Sequence, residues 1–66
     1  MNILKLKGKM VEKGLNAESL ANATGVSRAT IYRKLDDSER FTIGEAKIIK
    51  EVLELSTEEA HEIFLA

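Results

Sequence analysis

Apolar residues recur along this chain at intervals of three and four, and no alternation of two persists long enough to suggest a sheet. The pattern predicts five helices and no strands. Ile3, Leu6 and Met10 form one stripe over about residues 2–13, with Leu4 and Val11 beside it, and Gly14 stands where a C-terminal cap belongs. A second helix opens after Asn16, a good N-cap, and runs through Thr24; Ser27 can cap a third that reaches about Leu35. The polar, aperiodic stretch Asp36-Asp37-Ser38-Glu39-Arg40 reads as a loop. Thr42-Ile43-Gly44-Glu45 then has the spacing of a capping box, with Phe41 placed to staple the helix that follows. That fourth helix extends to about Leu53, its stripe of Ala46, Ile49 and Leu53 widened by Ile48 and Val52. Ser56-Thr57-Glu58-Glu59 repeats the capping pattern ahead of a short last helix with Ala60, Ile63 and Phe64 on its apolar side.

The most specific segment lies at residues 16–35, where two short helical stretches are joined by Thr24-Gly25-Val26-Ser27 and Ala21 precedes the glycine by four places. Two helices crossing steeply over so short a turn need a small residue at their contact and a glycine at the turn, which makes this a helix-turn-helix pattern. Leu20, Val26, Ile31 and Leu35 supply its apolar seam. The expected architecture is a compact all-α domain of five helices with the helix-turn-helix at helices two and three, occupying residues 1–66 as one unit.

Composition narrows the function classes. A chain of 66 residues buries only roughly 60% of the surface its unfolded form exposes, so the core must be simple. With no cysteine there is neither a disulfide framework nor a cysteine-based zinc site to support it. No apolar run approaches membrane-spanning length, and the first residues lack the h-region and cleavage site of a secretory signal, so a cytoplasmic location is expected. The net charge of -1 conceals an asymmetry: basic residues dominate positions 1–35 and acidic residues positions 36–66. The expectation is a positive face able to hold a polyanion although the whole chain is acidic. His61 is the only histidine, and the carboxylates lack partners that would form a metal or acid-base site, so no enzyme, metal or cofactor is expected.

On a helix over residues 27–35, a rotation of about 100° per residue puts Ile31 and Leu35 on one side and Ala29 with Arg33 on the other, flanked by Arg28 and Tyr32, and by Thr30 and Lys34. A helix fits the major groove of duplex DNA, and the first residues of a recognition helix reach furthest toward the bases. Arg28 is the candidate for reading guanine through its planar fork, and Ala29 for close approach or contact with a thymine methyl group. Ser27 can divide its hydroxyl between capping and DNA. Arg33 can read a base or hold a phosphate, and Thr30, Tyr32 and Lys34 suit the backbone.

Leu20-Ala21, Gly25-Val26-Ser27, Ile31-Tyr32-Arg33-Lys34-Leu35, Phe41-Thr42 and Leu55-Ser56-Thr57-Glu58-Glu59 resemble the lambda-repressor-like helix-turn-helix family of phage repressors and Cro proteins. The resemblance implies that Ser27, Arg28, Ala29 and Arg33 face the major groove and that a homodimer sits on a pseudo-palindromic operator as a transcriptional repressor or Cro-like regulator, with no small-molecule ligand. Two positions depart from the family. Ala17 replaces the glutamine that often clamps a phosphate, a role that would pass to Asn16 or Ser19, and Lys34 stands where an apolar residue is expected, with Leu35 serving instead. Docking is expected to differ at both.

A second reading keeps the fold but makes it a protein-interaction module of antirepressor or antitoxin type, motivated by the acidic half. Ile63, Phe64 and Leu65 would then offer an apolar edge to a partner or a second copy.

Overall fold

The computed structural model describes residues 1–65 and contains five helices, α1 (Ile3–Glu12), α2 (Ala17–Thr24), α3 (Arg28–Leu35), α4 (Ile43–Val52) and α5 (Thr57–Phe64), with no strand among the described residues. Every helix starts where a polar side chain accepts a hydrogen bond from the backbone N–H three residues on. The pairs are Asn2 with Lys5, Asn16 with Ser19, Ser27 with Thr30, Thr42 with Glu45 and Ser56 with Glu59. The predicted caps at Asn16, Ser27, Thr42 and Ser56 are therefore present, and Asn2 is a cap rather than the first helical residue.

The helix ends are equally regular. After α1, Gly14 at φ 70° donates its N–H to the Val11 carbonyl while Leu15 donates to Met10, which is a Schellman closure. The same pair of bonds recurs after α3 through Asp37 and Ser38, and after α4 through Glu54 and Leu55. There the left-handed residue is Asp37 (φ 62°) or Glu54 (φ 53°) instead of glycine. A side chain in that region is strained, so Glu54→Gly is expected to stabilise the fold by about 1 kcal/mol, read as a higher urea midpoint. The Glu54 contact with Lys13 at 3.6 Å is too exposed to offset the gain.

Leu6, Leu20, Ile31, Ile49, Leu53 and Ile63 are fully buried, so each of the five helices contributes to one core. Its margin is partly buried, formed by Ile3, Leu15, Val26, Phe41, Ala60 and Phe64. Leu4 and Val11, beside the α1 stripe, face solvent at 83% and 80% exposure. Ile63 corrects an expectation: its side chain is central core and is not an edge for a partner. Phe64 is partly buried, meeting Phe41 edge-to-face with ring centroids 6.0 Å apart. Of the three residues proposed for that edge, only Leu65 remains exposed.

The charge asymmetry resolves differently from the expectation too. Because α1 packs against α5, Lys5 pairs with Glu62 and Lys9 with Glu59, while Lys13 meets Glu54. The basic half of the sequence thus neutralises the acidic half inside one molecule. These lysines do not form a polyanion-binding face. Lys9 and the Ser56 backbone hold the Glu59 carboxyl down at about 2, against an ordinary value of 4.5. A depressed carboxyl contributes stability that is complete above its ordinary value and lost as pH falls through the depressed one. Thermal unfolding is accordingly expected to shift to lower temperature between pH 4.5 and about 2. The shift should be smaller in Glu59→Gln.

Candidate nucleic-acid interface

The turn between α2 and α3 depends on backbone shape. Gly25 ends α2 in the left-handed region at φ 78° and donates its N–H to the Ala21 carbonyl. A Cβ there would meet no atom within 4 Å, so the requirement for glycine is conformational and not steric. Ala21 is buried, and Thr24 returns its hydroxyl to the Leu20 carbonyl at 2.7 Å. From this turn α3 leaves with Ile31 and Leu35 in the core.

The opposite side of α3 carries Arg28, Ala29, Tyr32 and Arg33, all exposed, with Tyr32 at 59%. At its N-terminus the Ser27 Oγ accepts from the Thr30 N–H at 3.2 Å, and the two hydroxyls are 2.9 Å apart. Thr30 Oγ1 also accepts from Arg33 Nη2 at 3.0 Å, which sets the guanidinium along the helix. Ser27, Thr30 and Arg33 therefore form one hydrogen-bonded chain along the helix. Asn16 lies at the α2 N-terminus, where its Oδ1 accepts from both the backbone N–H and the hydroxyl of Ser19.

Both exposed arginines already have carboxylate neighbours. Arg28 Nη1 is 3.7 Å from Glu18 on α2, and Arg33 Nε donates to Glu39 in the α3–α4 loop at 3.0 Å. Sequence reasoning missed both acids because the pairs connect different elements. Their effect is to hold the guanidinium groups near α3 while keeping the net potential of the face low.

Lys34 is where the sequence expectation fails. Rotation about α3 places it on the exposed flank as a backbone contact, yet its side chain is only 6% exposed and Nζ lies 2.6 Å from Glu45 Oε1. The ammonium also sits 5.8 Å from the Phe41 ring centroid, within cation–π range. Lys34 thus occupies the inward position three residues after Ile31 and brings its counter-ion with it, while Leu35 is buried beside it. Glu45 serves two partners, since Oε1 also accepts from the Thr42 N–H at 2.8 Å. Burial pushes the Glu45 carboxyl up, but the bonds from Lys34 and Thr42 outweigh it and the net shift is downward. A single carboxylate therefore caps α4 and anchors the last turn of α3.

Among the described residues no group of three or more histidine, aspartate or glutamate side chains could hold a metal ion, and no helix is long and apolar enough to cross a membrane. Residues 5–38, which begin within α1 and run just past the end of α3, match the family described as the helix-turn-helix domain of resolvase. No curated protein and no solved structure matches the chain. The matched segment is just over half of the 66 residues and contains both helices of the turn motif. The chain belongs to the resolvase helix-turn-helix domain family and is a helix-turn-helix DNA-binding domain.

Proposed function

We propose that this chain binds double-stranded DNA sequence-specifically with α3 in the major groove, and that it acts as a transcriptional repressor or Cro-like regulator in the cytoplasm. The observation that carries the reading is the outer face of α3, where Arg28, Ala29, Tyr32 and Arg33 stand exposed opposite the buried Ile31 and Leu35. Arg28, in the first turn, is assigned to a guanine and Ala29 to close approach against a thymine methyl group. Ser27, Thr30, Tyr32 and Arg33 are assigned to phosphates and neighbouring base edges, and Asn16 to the phosphate that the missing glutamine would otherwise clamp. Lys34 is left out because Glu45 and the core hold it.

One short helix makes few contacts, so we assign two copies to half-sites about 34 Å apart, whose contacts combine. Leu65 is the residue of the α5 end still open to a second copy.

Fluorescence anisotropy with labelled duplexes over a salt series tests the reading. The expected result is binding that weakens with salt at a slope of about -0.9 per phosphate contacted. Complete absence of duplex binding at low salt by folded protein overturns it. Because Glu18 and Glu39 offset the two arginines, random-sequence affinity is expected to be modest and to rise up to about fivefold in Glu18→Gln/Glu39→Gln, the range of exposed ion pairs.

A further inference from the structure

Six of the ten Lys and Arg side chains, Lys5, Lys9, Lys13, Arg28, Arg33 and Lys34, are engaged with carboxylates. The other four are Lys7, Arg40, Lys47 and Lys50, which make no ion pair among the described residues, although Lys47 and Lys50 also border a shallow depression with Glu51 and Glu54 on their other side. Three of those four border one groove between α4 and α5, a cavity of about 420 Å³ with no acidic residue in its lining. Its floor is apolar, with Phe41 and Phe64 at the base and Ile43, 80% exposed, at the rim. Eleven Asp and Glu side chains occur in this chain, yet none of them lines this groove.

We infer that this groove docks an acidic amphipathic helix of a partner protein. Ile43, Lys47 and Lys50 fall at intervals of four and three on one face of α4, and Ile43 to Lys50 spans about 10 Å along the axis. Lys47 and Lys50 lie within one turn of α4 and Arg40 stands before its N-cap, so one small carboxylate cannot neutralise all three. An incoming helix with apolar anchors at three- and four-residue spacing and carboxylates beside them meets both the floor and the rim. Phosphates of a duplex would pair with the cations but leave the apolar floor uncovered. A second copy seated groove to groove would oppose like charges. Lys50 Nζ already donates to Thr57 Oγ1 at 3.3 Å, tying the two walls and keeping the groove preformed.

A random peptide library displayed on phage and selected against the full chain tests this, with Arg40→Glu/Lys47→Glu as the comparison protein. Both side chains are exposed and neither makes a hydrogen bond or ion pair among the described residues, so circular dichroism melting should be little changed. Selected peptides are expected to be acidic with apolar residues at helical spacing, to shift amide resonances of α4 and α5, and to bind the charge-reversed protein about tenfold more weakly. No enrichment, or enrichment of neutral or basic peptides indifferent to the reversal, overturns the proposal. Competition by a duplex whose own binding is lost on charge reversal would assign the groove to DNA. Self-association abolished by the reversal would assign it to a second copy, and either result also overturns it.

Discussion

Lys34→Ala is expected to destabilise the fold by about 3–5 kcal/mol, the usual consequence of removing one partner of a buried ion pair. Lys34 and Glu45 are 6% and 13% exposed, so the remaining carboxylate is left largely desolvated, with the Thr42 N–H as its surviving partner. The contact of the ammonium with the Phe41 ring disappears as well. A domain of this length is stable by only about 3–10 kcal/mol in total, so much of the protein should be unfolded at ambient temperature. Glu45→Gln should be milder, because the amide oxygen still accepts from Thr42, although Lys34 is left buried without a counter-charge. Lys34→Met/Glu45→Gln removes both charges, keeps an unbranched side chain against Phe41 and restores an acceptor for the cap. It is expected to return close to the parent in urea unfolding. If Lys34→Ala melts like the parent, the pair does not hold α3 to α4.

Arg28→Ala is expected to abolish the preference for one base pair per half-site, reducing discrimination by about 1–3 kcal/mol, or roughly 5- to 150-fold. Arg28 is 62% exposed in the first turn of α3, and its neighbour Glu18 at 3.7 Å aims it without burying it. Arg28→Lys should not rescue the preference, because an ammonium cannot present two parallel donors. Arg33→Ala, by contrast, is expected to weaken all duplexes more evenly and to lower the salt slope by about one. Both side chains are exposed, so neither change should move the melting temperature much. Selection of duplexes from a random pool by each variant reads the two effects separately.

The helices were legible in the sequence because their signals are local. Asn16, Ser27, Thr42 and Ser56 each bond to a backbone three residues away, and the Gly25 turn needs only its own φ. The outward face of α3 follows from rotation about its axis once Ile31 is placed in the core. What was not legible is the pairing of charges between elements. Seven basic residues before position 36 suggested an electropositive face, but α1 packing on α5 sets Lys5 and Lys9 against Glu62 and Glu59. Lys34 was misplaced for the same reason, since nothing within α3 indicates that Glu45, eleven residues on, waits inside the fold. The groove was not legible because the apolar floor beside Arg40, Lys47 and Lys50 forms only when α5 brings Phe64 to Phe41.

The most direct measurement of where this domain meets DNA is amide chemical-shift mapping of the protein titrated with a duplex recovered from the random pool. The predicted result is a set of shifts concentrated at Asn16 and over residues 27–33, with α1 little changed because Lys5 and Lys9 are held by Glu62 and Glu59. Shifts confined to the α4–α5 groove, or spread along α1 while the outer face of α3 stays silent, would contradict the account.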